Sequence, residues 1–266
     1  MHPGIHRTYV RPAVPSVTPV VKWLLIINIG VFILQTVYSG SYLKVFGLVP
    51  ASVLGEGHLW QLVTYMFLHG NFLHLLFNML FIWMMGSEME RHWGSREFLK
   101  YYLITGAGAG LINVLVQPSS SVPTIGASGA VFGLIIAFAM TFPERVLLLY
   151  FVIRIKAKYF AVLVGLLELL ALFLMPGAPI ARFAHLGGLV VGYIYLKRRR
   201  IAGAVSRRAS GVQDKLADAA DRRAEERRMR VQDEINRILD KINNQGMDAL
   251  TDRERRFLKE QGRGRK

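Results

Sequence analysis

The sequence has no cysteine among its 266 residues. That excludes a disulfide framework, a thiolate-held metal ion and a cysteine nucleophile. It is also short of acidic side chains, with 18 Asp and Glu against 33 Lys and Arg. Three segments between apolar runs are nearly free of charge of either sign. The stretch 39–69 holds only Lys44 and Glu56, 117–126 holds none, and 176–182 holds only Arg182. An HExxH metalloprotease motif is absent as well.

What is abundant is apolar. Hydrophobic residues make up 52% of the chain, and its mean hydropathy is positive, which points away from a soluble enzyme. A membrane-spanning helix needs about 20 mostly apolar residues. Six stretches fit, near 22–38, 72–88, 98–116, 127–142, 159–175 and 183–196. The first is read as a retained span, because Tyr38-Ser39-Gly40 is a poor match to a signal-peptide cleavage site. The fold class expected is therefore an all-α integral membrane protein with six transmembrane helices.

The basic residues fall into the other set of connections. Arg7, Arg11 and Lys22 precede the first span, and Arg91, Arg96 and Lys100 lie between the second and third. Arg145, Arg154, Lys156 and Lys158 separate the fourth and fifth, and Lys197-Arg198-Arg199-Arg200 follows the sixth. Charge thus alternates with every crossing, which places both termini in the cytoplasm. The segment 39–69 holds Phe46, Leu48, Val53, Leu54, Leu59 and Trp60. Two readings of it stay open: a loop lying in the membrane interface with Trp60 as an anchor, or a loop packed on the bundle.

From Lys197 onward the chain carries 21 basic and 12 acidic residues. The stretch 206–230 reads as a solvated helix or linker. Ile235, Ile238, Leu239 and Ile242 then recur at helical spacing, Gly246 breaks the helix, and Thr251-Asp252-Arg253-Glu254 has the pattern of a capping box. The division expected is a cytoplasmic segment over 1–21, a six-helix domain over 22–200, and a basic helical cytoplasmic tail over 201–266. A two-helix module is expected near 231–260. Anionic lipid or a cytoplasmic protein suits the charge of the tail, and nucleic acid is the weakest reading.

Polar residues inside spans are costly and tend to be functional. Spans two, four and six all begin on the outer side. Ser128 and His185 open spans four and six, and His74 and Asn78 lie in the first turns of span two. The topology therefore sets these four in one layer. Gly129, Gly133 and Ala137 form a small-residue stripe, matched by Ala184, Gly188 and Gly192. Two such stripes let helices pack closely, which would bring the Ser128 hydroxyl to the His185 ring. A serine hydroxyl becomes a competent nucleophile when an adjacent base takes its proton. No Asp or Glu is placed at that depth, so a Ser–His dyad is expected without an acidic third member. Glu168, within span five, is read as a structural contact. Phe132, one turn beyond Ser128, is placed to stack on the imidazole. His74 and Asn78, four residues apart, share a helix face. Together with the Ser128 N–H they are candidate donors to an oxyanion.

These residues, in the order His69, His74, Asn78, Gly86 and Glu90, then Gly126-Ala127-Ser128-Gly129, then His185-Leu186-Gly187-Gly188 and Gly192, resemble the rhomboid proteases. The resemblance covers roughly 20–200. It implies six helices with the fourth short and central, and hydrolysis of membrane-spanning protein substrates without a cofactor. It makes Ser128 the nucleophile, His185 the base, and His74 and Asn78 oxyanion donors, with Gly126, Gly129, Phe132 and Gly188 shaping the site. One departure is Trp60-Gln61, where many relatives carry Trp-Arg. The tail resembles an appendage of some bacterial rhomboids, which implies a bacterial inner membrane. The rival readings are a catalytically inactive binder of membrane proteins, and a metalloprotease or metal transporter using His69, His74 and His185.

Overall fold

Long apolar helices arise where branched and aromatic side chains run on without Pro or charge, because in lipid every backbone group must be paired within the segment. The structure is a computed structural model and describes residues 16–37, 42–149, 153–174 and 179–263. Arg7, Arg11, the Tyr38-Ser39-Gly40 step and the start of the segment at 176 lie outside the described residues.

The chain divides into two units, Met1–Arg199 and Arg200–Lys266. In the first, α1 spans Pro19–Val37, and three short helices follow: α2 (Tyr42–Phe46), α3 (Pro50–Gly55) and α4 (Gln61–Thr64). Next come α5 (Phe72–Phe81), a wider π turn (Ile82–Gly86) and α6 (Ser87–Trp93), stacked end to end. Then follow α7 (Ser95–Val116), α8 (Ser128–Thr141) and α9 (Ala157–Leu174). Helix α10 (Pro179–Gln245) begins in this unit. Among the described residues, each of the six apolar stretches is helical over most of its length. Four of the resulting helices are long and apolar enough to cross a membrane: Pro19–Val37, Phe72–Trp93, Ser95–Val116 and Ala157–Leu174. Helix α8 is shorter, at 14 residues.

The all-α expectation needs one correction. Strands β1 (Val146–Leu149) and β2 (Ile153–Lys156) pair antiparallel between α8 and α9. Runs of Val, Leu and Ile with alternating Arg154 and Lys156 favour a pleated hairpin over a helical turn.

Helix α8 is the centre of the unit. Gly129, Ala130, Val131, Gly133, Leu134, Ile135, Ala137, Phe138 and Ala139 are all buried. Helices α1 and α9 bury three described residues each. Many of their other apolar side chains are exposed, among them Ile26, Ile33, Leu34, Val162, Leu166 and Phe173. Burial of α8 depends on its small residues. A Cβ on Gly188 would lie 2.0 Å from the Gly129 carbonyl oxygen, and one on Gly192 would lie 3.2 Å from the Gly133 Cα. The two small-residue stripes therefore meet, and they bring α10 against α8.

Glu90 fastens the start of α1. Its buried carboxylate accepts from the Val20 and Val21 N–H groups at 3.0 Å each, from Ser95 Oγ at 2.6 Å, and from the Thr18 hydroxyl. An anion at the first N–H groups of a helix satisfies donors that have no intrahelical partner.

The described part of the segment between α1 and α5 is in part packed on the bundle. Leu48 and Val53 are buried, whereas Phe46, Leu54, Leu59 and Trp60 are exposed. Gln61 holds it together. Its buried side chain accepts from the Val49 N–H at 2.9 Å and donates to the Lys44 and Val45 carbonyls at 2.8 and 3.3 Å. A glutamine thus ties the loop from within at the Trp60-Gln61 departure. Gln61→Ala strands these buried groups and is expected to cost about 2–3 kcal/mol, a Tm lower by roughly 5–10 °C. Differential scanning fluorimetry of the detergent-solubilised chain checks it.

In the second unit, Gly246 (φ 86°) ends α10, a 3₁₀ turn covers Met247–Ala249, and α11 runs over Asp252–Arg263. The capping box forms. Thr251 N–H donates to Glu254 Oε2 at 2.8 Å, and Glu254 N–H points back to Thr251 Oγ1 at 3.4 Å. Lys241 Nζ, on the other helix, bonds Glu254 Oε2 at 2.9 Å, and Ile238 and Leu250 are buried.

Candidate active site

Ser128 is the first residue of α8, so its backbone N–H lies among those with no partner inside the helix. The loop before it is pinned from two sides. Thr124 and Leu48 exchange backbone hydrogen bonds at 2.9 Å, and Gly126 N–H donates to the Tyr65 carbonyl at 2.9 Å. Tyr65 is itself buried, with its hydroxyl on the Gly106 carbonyl at 2.7 Å.

Across the α8–α10 contact, His185 Nε2 lies 2.8 Å from Ser128 Oγ. Phe132 stacks on the same imidazole, with ring centroids 4.4 Å apart and planes 8° from parallel. This fixes the ring plane while leaving both ring nitrogens at its edge.

The oxyanion candidates come from α5. A Cβ on Gly126 would fall 2.7 Å from His74 Nε2 and 3.6 Å from Ser128 Oγ, so the ring lies directly over this glycine beside the serine. Gly70 N–H points to His74 Nδ1 at 3.4 Å. With Nδ1 accepting, the ring proton sits on Nε2, the nitrogen facing Gly126. Asn78 is buried and gives one amide hydrogen to the His74 carbonyl at 2.9 Å, which leaves its second for another acceptor.

His69 stands behind His74. The two rings meet edge to face at 5.1 Å, and His69 is 2% exposed. Gln35 of α1 clamps its backbone from both sides, accepting from the N–H at 3.1 Å and donating to the carbonyl at 3.2 Å. Burial, aided by the neighbouring His74, pushes the His69 pKa down to about 4. A lowered folded-state value means that the unfolded chain binds the proton first. Stability therefore falls as pH drops from about 6.5 to about 4, by up to roughly 3 kcal/mol. His69→Phe keeps the aromatic contact and is expected to flatten this part of a Tm-against-pH curve.

One expectation is corrected. An acidic residue does stand at the depth of the histidine: Glu168 Oε1 of α9 lies 3.1 Å from His185 Nδ1. Glu168 is six residues short of the Leu174 end of α9, and His185 is six residues past the Pro179 start of α10. At about 1.5 Å per residue, both sit roughly 9 Å along their helices from those ends. Of the three histidines in the metal-site rival, His69 and His74 touch, while His185 is turned to Ser128. Among the described residues no three His, Asp or Glu side chains are arranged to hold a metal ion.

The rhomboid domain family matches residues 56–199, and a family of unknown function matches residues 218–263. The chain is 30% identical over 179 residues to Rhomboid-like protease 3 of Toxoplasma gondii, covering 65% of this chain and 66% of that one. It is 30% identical over 176 residues to Rhomboid protease GluP of Bacillus subtilis, covering 63% and 32%. It is also 30% identical over 193 residues to Rhomboid protease AarA of Providencia stuartii, covering 64% and 68%. The chain thus spans from about a third to about two thirds of the length of these relatives. With the domain match extending over more than half of its residues, the chain belongs to the rhomboid family of integral membrane proteins.

Proposed function

We propose that this protein is an intramembrane serine endopeptidase that cleaves membrane-spanning protein substrates within the lipid bilayer. The observation that carries the reading is the 2.8 Å approach of Ser128 Oγ to His185 Nε2, with the His74 ring beside it. Ser128 attacks the scissile carbonyl while His185 takes its proton. His74 Nε2, the free Asn78 amide hydrogen and the Ser128 N–H receive the negative oxygen. His185 then protonates the leaving amine, and water from the outer side hydrolyses the acyl-enzyme. A substrate helix enters beside α9 and unwinds locally, because its own hydrogen bonds shield its peptide bonds. Small residues at the cleaved position suit this site.

The six helical spans within residues 22–200 each cross the membrane, the fourth, α8, as a short central span and the sixth as the first part of α10. Residues 1–21 and the basic tail, 201–266, are cytoplasmic, in a bacterial inner membrane. The alternation of charged and uncharged connections supports this orientation. The tail engages anionic lipid or a cytoplasmic protein. The test is cleavage of a single-span reporter in proteoliposomes by the wild-type chain and by Ser128→Ala. Loss of cleavage supports the reading. An alanine variant that cleaves equally well overturns it, and a wild-type chain that binds the reporter without cutting it points to a non-catalytic binder.

A further inference from the structure

Glu168 is the one carboxylate in α9, and beyond Lys158 and Tyr159 at its start the rest of the helix is apolar. A charged side chain within a spanning helix is costly, so such residues persist where they have a partner or a role. Here the partner is His185 Nδ1, at 3.1 Å. That nitrogen is buried and completes no hydrogen bond among the described residues. The distance is that of a hydrogen bond, but the ring N–H is not yet aimed at the carboxylate. Catalytic hydrogen bonds are often misaligned before substrate binds and tighten afterwards.

Glu168 is not needed merely to hold α9 against α10. One turn away on one side, Arg182 donates to the Ala171 carbonyl. One turn away on the other, a Cβ on Gly165 would touch Leu189 at 3.3 Å. These contacts fasten the helices on either side of the Glu168–His185 pair. The groups around the imidazole are few. Helix α5 presents His74, α8 presents Ser128 and Phe132, and beside Gly187 α7 presents Ala109 and Ile112, neither of them titratable. Glu168 is thus the negative group at the ring edge opposite Ser128.

Neutral imidazole carries one N–H. For Nε2 to take the Ser128 proton, that N–H must be on Nδ1. An acceptor at Nδ1 selects this tautomer, and a negative one also offsets the charge of the imidazolium that forms. Building on the proposed function, we propose that Glu168 is a positioning residue for His185, holding its proton on Nδ1 and tying the competence of the base to the seating of α9 on α10.

The test uses the full-length chain in proteoliposomes with a single-span reporter. Glu168→Leu suits an apolar helix and leaves both flanking contacts in place, which unchanged thermal unfolding would document. It is expected to lower kcat about tenfold or more, with KM within twofold, in the range seen for partners that orient a functional histidine. Glu168→Gln retains a carbonyl acceptor without the charge and is expected to fall between wild type and Leu. ¹⁵N spectra of histidine-labelled protein give the readout that packing alone would not move. The wild-type His185 signal is that of the Nδ1–H tautomer, and Glu168→Leu shifts it toward Nε2–H. An unchanged tautomer, or a KM that rises while kcat holds, overturns the proposal. The spectra need no cleavage. Were the wild-type chain inactive, the proposed function would fail, and the tautomer comparison would still decide the role of Glu168.

Discussion

Ser128→Ala and His185→Ala are each expected to lower reporter cleavage by roughly 10⁵-fold, and the double variant is expected to lose no more than either alone. The reason is that the two groups act in one step. Without the base, the Ser128 hydroxyl is a weak nucleophile; without the hydroxyl, the base has no proton to take. The 2.8 Å Oγ–Nε2 distance makes them a unit. What remains in each variant comes from the oxyanion donors and substrate positioning, worth about 10³-fold over water in related chemistry. Initial rates for the two single variants and the double variant, measured in the same vesicles, check this. Additive losses would mean that serine and histidine contribute to separate steps.

The helices and their order were legible because long apolar runs without Pro or charge favour helices. The α8–α10 contact was legible for a similar reason. Gly129 and Gly133 facing Gly188 and Gly192 leave room that only close helix packing fills. The strand pair Val146–Leu149 and Ile153–Lys156 is not legible because it lies in a connection where apolar and basic residues mix, and short apolar runs do not distinguish strand from helix. Glu168 is visible in the sequence, but its depth follows only from its distance to the Leu174 end of the helix. Helix α9 ends at Leu174 where α10 begins at Pro179 a few residues later, so equal counts from Leu174 and Pro179 bring the carboxylate level with the imidazole. The support behind His74 was not legible at all. The Gly70 N–H on Nδ1 and the edge-on His69 ring depend on how the loop between α4 and α5 folds back, and no periodicity reports that.

Gly126→Ala is expected to lower kcat about 10²–10³-fold, as removing one oxyanion donor does, with little change in KM. Two constraints converge on this glycine. Its φ of 123° lies where an L side chain is strained by about 1–3 kcal/mol. A Cβ there would also come within 2.7 Å of both Cε1 and Nε2 of His74. Something must move, and the loop is the harder element to displace. Its backbone is bonded to Tyr65 at Gly126 and to Leu48 at Thr124, and both partners are buried. The His74 ring is held by a long 3.4 Å contact and an edge-on neighbour, so the ring gives way and Nε2 leaves the oxyanion position. His74→Ala removes the same donor by deletion and is expected to match the loss in kcat while adding no clash. The double variant separates the two effects. With the ring gone, the clash component of the Gly126→Ala destabilisation is relieved, so Tm rises relative to Gly126→Ala alone while kcat stays low. If Tm does not recover, the cost lies in the backbone conformation and not in the ring. If Gly126→Ala alone keeps wild-type kcat, His74 is not the oxyanion donor that the geometry suggests.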